Sequence, residues 1–290
     1  MAVTSPKFCS SVTSLLQVSE LSVNYAPVGP EAVPALRQVS FEVAPGEIVG
    51  ILGESGCGKS SLALSILGIL PQGVTAQGSI RYRGEELLGR DEGRLRKVRG
   101  ARISLIHQEP GLALSPVMRV GDQIAEVLRA HGDDSRQARR EQVGAILRSV
   151  HLADTHRIAR AYPHELSGGE LHRVAIAQAL VCRPDLVIAD EPNRALDATL
   201  QLELLDLLSE LNREFGTALL FITHNPMLLA GFADRVLVMR SGEIVEHGPV
   251  AEVFRRPANA YTRLLLQFVP HPISAANETL SRAPRELIPR

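Results

Sequence analysis

The sequence has few aromatic residues, few cysteines and no long apolar run, and each shortage excludes a class of protein. Its 290 residues include no tryptophan, and aromatic residues make up 4%, which argues against a stacking platform for single-stranded nucleic acid. The three cysteines, Cys9, Cys57 and Cys182, are scattered singly, so they indicate neither a disulfide framework nor a zinc site. The longest uncharged stretch, 60–80, is interrupted by Pro71, and no segment is predicted to span a bilayer unaided.

An excess of charge of either sign is also missing. The chain has 31 lysines and arginines against 32 aspartates and glutamates, which gives no long-range attraction to nucleic acid or anionic lipid. Hydrophobic residues make up 45%, so the chain can form a sizeable core in one large domain or two smaller ones. Because the first ten residues lack the apolar run of a signal peptide, we expect a cytosolic protein.

The first part of the chain is predicted to form strands. Partial alternation of apolar and polar residues indicates strands at 15–25 and 36–43 with a proline- and glycine-rich loop between them, and a short apolar strand follows at 47–52. A buried helix is predicted at 59–70, where Pro71 ends it.

The middle of the chain is predicted to be helical. Apolar residues recur at helical spacing around 120–128 and 143–150, and again in an amphipathic helix at 200–215 that ends at Gly216. The last residues, 269–290, carry prolines and no apolar period, which predicts a flexible tail.

Strands alternate with helices in the second half. Continuous apolar runs at 186–190 and 218–223 predict buried parallel strands. Residues 235–248 are predicted to form a hairpin that turns at Ser241-Gly242.

A phosphate-binding loop is predicted at 53–60. The residues fit G-x-x-x-x-G-K-[ST] and lie between a predicted strand and a predicted helix, which is the context that this motif requires. The loop N–H groups and the start of the helix would face phosphate oxygens, with Lys59 reaching the β- and γ-phosphates and the Ser60 hydroxyl holding Mg²⁺. A glycine-rich turn with an incidental lysine is the weaker interpretation. Cys57 has no predicted catalytic role, although its place near a helix start favours a lowered thiol pKa.

Two carboxylates follow a buried strand. Asp190 and Glu191 come directly after the apolar run 186–189, at the strand end where open α/β sheets bind ligands. Asp190 would hold Mg²⁺, and Glu191 would orient the attacking water. An exposed acidic loop is the alternative, and Pro192 together with the apolar run makes it the weaker one.

The segment 166–170, Leu-Ser-Gly-Gly-Glu, has two interpretations that the sequence leaves open. It could present backbone N–H groups to an anion at a helix start. It could equally be a capping box, with Ser167 as the N-cap and Glu170 three residues later.

Taken together, these segments resemble the ATP-binding-cassette (ABC) ATPases over about 15–268. The elements that carry the resemblance are the loop 53–60, Gln108, 166–170, Asp190-Glu191, Ala195-Leu196-Asp197 and His224. The resemblance implies an α/β fold, with a P-loop NTPase (RecA-like) core, an N-terminal antiparallel β subdomain and an α-helical subdomain inserted at about 111–180.

The resemblance also implies roles for individual residues. Tyr25 would stack on adenine, although packing within its strand is a serious alternative. Gln108 would sense Mg²⁺ and the γ-phosphate, and His224 would contact the γ-phosphate. Ser167, Gly168 and Gly169 would bind the ATP held by a second ATPase subunit, whose phosphate loop Asp197 would touch. The implied nucleotide-binding set is Tyr25, Gly53, Glu54, Ser55, Gly56, Cys57, Gly58, Lys59, Ser60, Ser61, Ser167, Gly168, Gly169 and Asp197. The implied metal ligands are Ser60, Gln108 and Asp190, and the catalytic residues are Glu191, His224 and Gln108.

Three segments narrow the resemblance to importer ATPases for peptides and nickel: 95–103, 108–126 and 257–266. This implies an ATP- and Mg²⁺-dependent ATPase, peripheral to the cytoplasmic face of the cell membrane. Its expected partners are two transmembrane permease subunits, a second ATPase chain (the same or related) and, indirectly, a substrate-binding protein. The permeases would dock near Gln108 and the segment 111–160.

No nucleic-acid partner is expected. The basic run Arg94, Arg96, Lys97, Arg99 and Arg102 is interpreted as a solvated face. The alternative function, a non-transport cassette ATPase associated with DNA or ribosomes, usually has coiled-coil insertions, zinc cysteines or a second cassette, and this chain shows none of them.

The sequence departs from the family pattern at four places. Glu170 replaces the commoner glutamine, and Leu171-His172 follow it in place of longer polar residues. Asn193-Arg194 stands where small or hydroxyl residues are common. Residues 258–260 replace the usual His-Pro ahead of Tyr261. A carboxylate at Glu170 would repel phosphates unless it points away or caps its own helix.

Overall fold

A computed structural model describes residues 14–25, 33–132, 135–194 and 196–267, and within it the chain forms two sheets. The smaller sheet is antiparallel, with strand order β2-β1-β4-β5. Its strands are β1 (Leu16–Tyr25), β2 (Val33–Val43), β4 (Thr75–Tyr82) and β5 (Glu85–Glu86). The predicted N-terminal antiparallel subdomain is therefore confirmed.

The larger sheet has the order β10-β9-β3-β8-β7-β6. Its strands are β3 (Ile48–Leu52), β6 (Ile103–Ile106), β7 (Leu186–Asp190), β8 (Ala218–Thr223), β9 (Arg235–Arg240) and β10 (Glu243–Pro249). All neighbours pair in parallel except β9 and β10. The carboxyl ends of β3, β7 and β8 therefore meet at one edge, where a ligand binds in open α/β sheets.

Helices cover the sheets and fill the interval between β6 and β7. Those in the interval are α3 (Pro110–Ala113), α4 (Val120–His131), α5 (Arg136–Ser149), α6 (Thr155–Arg160) and α7 (Gly168–Leu180). The others are α1 (Lys59–Leu67), α2 (Glu92–Val98), α8 (Ala198–Phe215), α9 (Val250–Arg255) and α10 (Ala260–Gln267). An inserted helical region is thus present, while the limits 15–268 and about 111–180 stay predictions. The tail 269–290 lies outside the described residues.

The central strands β7 and β8 are apolar up to their last residues, Asp190 and Thr223, which allows both faces of the sheet to be covered. Along β8, Leu219 and Phe221 belong to the core shared with the helices of the β6–β7 interval. Their neighbours Leu220 and Ile222 belong to the core shared with α1 and the antiparallel sheet. Successive side chains point to opposite faces of a strand, so one continuous apolar run serves two cores.

Several predicted boundaries are wrong, and two of them are displaced by three residues. Helix α1 ends at Leu67 rather than near Pro71, because Gly68 adopts a left-handed conformation (φ 63°) that closes the helix. The guanidinium of Arg99 then donates to the carbonyls of Leu67 and Gly68, so this member of the basic run caps a helix. Strand β2 begins at Val33, not at 36. Strands β4, β5 and β6 and helices α2, α3, α6, α9 and α10 were not predicted individually.

In the part of the chain that the structure describes, no helix combines the length and the apolar composition that crossing a membrane requires.

Candidate functional site

The loop 53–60 joins β3 to α1, as predicted, and its glycines are required by close backbone approaches. Gly58 has φ 109°, and a Cβ there would come 2.5 Å from the carbonyl oxygen of Ala35. A Cβ on Gly53 would come 2.4 Å from the carbonyl oxygen of Met239. Because real Cβ atoms do not approach a carbonyl oxygen so closely, a side chain at either position would displace the loop backbone from the neighbouring strands.

Lys59 is buried and folds back across the loop. Its Nζ donates to the carbonyl oxygens of Gly53, at 2.7 Å, and Glu54, at 2.9 Å. The same atom lies 3.9 Å from Glu191 Oε1. The ammonium group is thereby held inside the loop and beside the acidic end of β7.

Asp190 and Glu191 lie at the carboxyl end of β7, where the sequence predicts them. Burial raises the pKa of Asp190 above its ordinary value and the charge of Glu191 adds to this, while the hydrogen bond from Ser60 and the charge of Lys59 act in the opposite direction. The Ser60 hydroxyl and the Asp190 carboxylate are thus adjacent. Oxygen donors of this kind suit Mg²⁺, so this pair fits the ion.

Glu191 is buried, and its Oε1 lies 3.2 Å from Nδ1 of His224. His224 follows β8 and is about half exposed. Glu191 also has a left-handed backbone (φ 45°), which it shares with six other non-glycine residues among those described. The carboxylate therefore sits between an imidazole and an ammonium group, at the strand edge where ligands bind.

Gln108 contacts a residue whose role the sequence did not predict. With the side-chain amide oriented so that both partners are satisfied, its oxygen accepts from Nε and Nη1 of Arg194. Arg194 is exposed and follows the acidic pair by three residues. The one available signal was the departure from the family pattern at this position.

Two residues of the predicted nucleotide-binding set, Tyr25 and Cys57, are shaped by contacts within the protein. The Tyr25 ring packs against the core that includes α1, and its hydroxyl lies 3.2 Å from that of Ser61. Stacking on adenine stays a prediction. For Cys57, the expectation of a lowered thiol pKa is wrong: burial raises it and outweighs the opposing charge of Lys59.

The segment 166–170 forms the capping box. Ser167 Oγ accepts from the N–H of Glu170 at 3.3 Å, and Glu170 Oε2 accepts from the N–H of Ser167 at 2.9 Å. Glu170 Oε1 also accepts from Arg157. The hydrogen bond from Ser167 N–H, with help from Arg157, lowers the pKa of Glu170, so this carboxylate is directed at its own helix. The N–H groups of Gly168 and Gly169 lie in the first turn of α7.

Asp197 is the N-cap of α8, and its Oδ1 accepts from the N–H of Leu200 at 3.0 Å. Among the described residues, no hydrogen bond or ion pair joins Asp197 or the segment 167–169 to the loop 53–60. The predicted site residues therefore fall into two groups. One surrounds the phosphate loop, and the other lies at the starts of α7 and α8.

Four features at one sheet edge together define a P-loop ATPase. They are a phosphate loop between strand and helix, a buried lysine, an adjacent hydroxyl–carboxylate pair and a glutamate–histidine pair. Comparison with known proteins makes this more specific. Residues 36–194 match the family model described as ABC transporter. The chain therefore belongs to the ABC transporter family.

Relatives and solved structures agree with this membership. The chain is 47% identical over 259 residues to a probable peptide ABC transporter ATP-binding protein of Sinorhizobium fredii, covering 88% of this chain and 77% of the relative. It is 41% identical over 271 residues to an oligopeptide transport ATP-binding protein of Escherichia coli, covering 93% and 80%. A dimeric ATP-binding cassette solved in a post-hydrolysis state with ADP and Pi superposes with a TM-score of 0.71 at 28% identity, over 81% of this chain and 98% of that one.

Proposed function

We propose that the chain is the ATP-binding and ATP-hydrolysing subunit of an importer for peptides, nickel or a similar small solute. The observation that carries the proposal is the placement of Glu191, 3.9 Å from Lys59 Nζ and 3.2 Å from His224 Nδ1. The relatives named above are peptide and oligopeptide transport proteins, which favours peptides within this solute class.

Each residue around the phosphate loop has a task in this proposal. Lys59 and the loop N–H groups bind the β- and γ-phosphates. Ser60 and Asp190 would hold Mg²⁺, which when bound neutralises charge that develops on the phosphates. Glu191 accepts a hydrogen bond from the attacking water and orients it, and His224, whose Nδ1 lies 3.2 Å from Glu191 Oε1, contacts the γ-phosphate. Catalysis is then mainly positioning, with little covalent chemistry for the protein.

We infer that the second group of residues acts on the nucleotide of a second ATPase chain, either the same or a related one. Gly168 is exposed, and the N–H groups of Gly168 and Gly169, at the first two positions of the helix, have no carbonyl partner within it. The capping box directs the Glu170 carboxylate onto Ser167 N–H, so the helix start keeps its anion-binding character. Asp197 lies at the start of α8 and faces the same partner in this arrangement.

The permease subunits are proposed to dock at an apolar groove beside Gln108. The groove has a volume of about 270 Å³ and is lined by Leu67, Ile69, Ala113, Val127, Ala179 and His107. Ile69 is 42% exposed, so apolar surface is available to a partner. This docking would place the chain at the cytoplasmic face of the membrane, with a substrate-binding protein acting on the far side.

A mixing experiment tests the shared nucleotide site. Lys59→Ala disables the phosphate loop of its own chain, and Ser167→Arg blocks the start of α7. Each variant alone is expected to hydrolyse almost no ATP. A mixture is expected to regain hydrolysis, because a mixed dimer keeps one site with an intact loop and an intact helix start. Recovery in the mixture supports the shared site, whereas full activity of Ser167→Arg in a chain shown not to pair would contradict it.

A second experiment separates transport from the alternative, a non-transport cassette ATPase. The tagged chain is purified from membranes under mild detergent and, in parallel, from ribosome and nucleoid fractions. Stoichiometric recovery with integral membrane proteins supports the importer. Recovery only with ribosomes or DNA would replace it with the alternative.

A further inference from the structure

Helix α10 reaches the phosphate loop from the far end of the chain. Tyr261, in its first turn, is 5% exposed, and its hydroxyl oxygen accepts a hydrogen bond from the backbone N–H of Glu54 at 3.2 Å. The two residues are 207 positions apart in the sequence. Glu54 is the second residue of the loop motif, so α10 contacts the backbone of the loop itself.

The Tyr261 side chain is held in place on two further sides. Its ring packs in the apolar core shared with the helices of the β6–β7 interval. The guanidinium carbon of Arg240 lies 4.9 Å from the ring centroid, within the range of a cation–π contact. Arg240 ends β9, the strand that pairs with β3. The hydroxyl is therefore presented to Glu54 by a fixed ring.

The start of α10 is anchored by the segment that departs from the family pattern. Asn259 Oδ1 accepts from the N–H of Tyr261 at 2.8 Å, and Asn259 Nδ2 donates to the carbonyl of Val245 at 3.3 Å. The Glu246 carboxylate accepts from the N–H groups of Ala258 and Asn259. Four of these hydrogen bonds connect the start of α10 with β10 and the phosphate loop, one lies within the start of α10, and the ring contact connects α10 with β9.

We propose that Tyr261 is a positioning residue for ATP binding, through which the docking of α10 controls the conformation of the phosphate loop. This inference rests on the proposed function of the loop. The Glu54 N–H faces α10 and is satisfied by Tyr261, and the Glu54 carbonyl accepts from the N–H of Cys57 at 3.3 Å, so the loop backbone is held on both sides of Glu54. Without the hydroxyl, this N–H loses its protein partner and the loop samples other conformations. Nucleotide affinity then falls in proportion to the fraction of loops in the binding conformation.

The test compares two tyrosine-to-phenylalanine variants of the full chain. Tyr261→Phe removes the hydroxyl and keeps the ring. Tyr82→Phe is the matched control: Tyr82 is 7% exposed, and its hydroxyl donates to Asp185. Asp185 precedes β7, so this hydrogen bond lies at the sheet edge opposite the phosphate loop. Both variants lose one hydrogen bond of a buried tyrosine.

The measurements are Mg·ADP binding by calorimetry, the KM for ATP and kcat by phosphate release, and the Tm of each variant without nucleotide. For Tyr261→Phe we expect Mg·ADP binding to weaken and KM to rise by about threefold to tenfold, with kcat unchanged. For Tyr82→Phe we expect a lowered Tm and wild-type values for binding and KM. Asn259→Ala, which loosens the start of α10, is expected to raise KM in the same direction.

The results separate this inference from the proposed function. If Tyr261→Phe has a lowered Tm but binds Mg·ADP as tightly as the wild type, Tyr261 is only a packing residue and the inference is wrong. The same conclusion follows if both variants weaken binding equally. If the wild-type chain binds no nucleotide, the proposed function itself fails.

Discussion

Replacement of Glu191 by glutamine isolates the contribution of one negative charge to hydrolysis. The side chain keeps its size and is buried between Lys59 and His224, so the fold should be unaffected. An amide can still contact water but is a far weaker proton acceptor. We expect kcat to fall by about 10²- to 10⁴-fold, equivalent to roughly 3–5 kcal/mol of barrier height.

Nucleotide binding should respond differently. At 3.9 Å and an effective dielectric constant of about 20, the attraction between Lys59 and Glu191 has a gross value of about 4 kcal/mol. Much of it is offset by the cost of burying both charges. Loss of the carboxylate removes this competitor for the ammonium group and also removes a negative charge near the phosphates. We therefore expect ATP affinity to be retained or increased.

The assay combines phosphate release at saturating Mg·ATP with equilibrium binding of ATP to the same preparation. Glu210→Gln is the control, because Glu210 on α8 and His151, which follows α5, form an exposed glutamate–histidine pair outside the predicted site, with Glu210 Oε2 3.1 Å from His151 Nε2. This control should keep the wild-type kcat. Wild-type turnover in Glu191→Gln would show that Glu191 takes no part in hydrolysis. A loss of ATP binding as large as the loss of kcat would show that Glu191 contributes to ATP binding and not to the hydrolysis step.

Three further substitutions test other parts of the site. Lys59→Ala should weaken nucleotide binding by roughly tenfold to a hundredfold, because a charged donor to phosphate is lost; unchanged affinity by calorimetry would contradict the phosphate-loop assignment. Arg194→Ser should lower the Mg²⁺ concentration for half-maximal ATPase activity, since Arg194 and a cation compete for the amide oxygen of Gln108, and an unaltered Mg²⁺ titration would show that they do not compete. Glu170→Gln keeps the cap but loses the charge pair with Arg157, which for a partly exposed pair contributes about 0.2–1 kcal/mol. The folded-state pKa of Glu170 is lowered, so this contribution is present above the ordinary glutamate pKa and is lost as the pH falls through the lowered one; a Tm difference between wild type and variant that persisted at acid pH would refute this origin.

The sequence predicts best those features that depend on neighbouring residues. The motif 53–60 is contiguous, and the apolar runs of β7 and β8 indicate strands buried on both faces, so the loop and the acidic pair are placed correctly. Helix boundaries are harder, because they depend on competing local signals. At the end of α1 the left-handed Gly68 closes the helix before Pro71 is reached, and at α8 the Asp197 side chain starts the helix two residues early.

Contacts between distant segments were not predictable from one sequence. Nothing near Glu54 indicates that Tyr261 will accept its N–H, and nothing near Gln108 indicates Arg194. Both contacts depend on the sheet order β10-β9-β3-β8-β7-β6. This order brings the carboxyl ends of the five parallel strands to one edge of the sheet. The sequence departs from the family pattern at Arg194 and at 258–260, which are at or next to these contacts. Only the fold, however, shows which residues they touch.

The phosphate loop is held from several sides, and this lowers the binding energy that is needed to order it. The backbone of β9 excludes a side chain at Gly53, and that of β2 excludes one at Gly58. The N–H of Gly242, in the turn between β9 and β10, donates to the carbonyl of Cys57 at 2.9 Å, and Tyr261 accepts from Glu54. Because four separate contacts fix its conformation, little of the energy of phosphate binding is needed to order the loop. That energy is then available for changes elsewhere. The contact between the exposed Arg194 and the half-buried Gln108 is made by side chains alone, so it can break or form without moving the backbone of the loop.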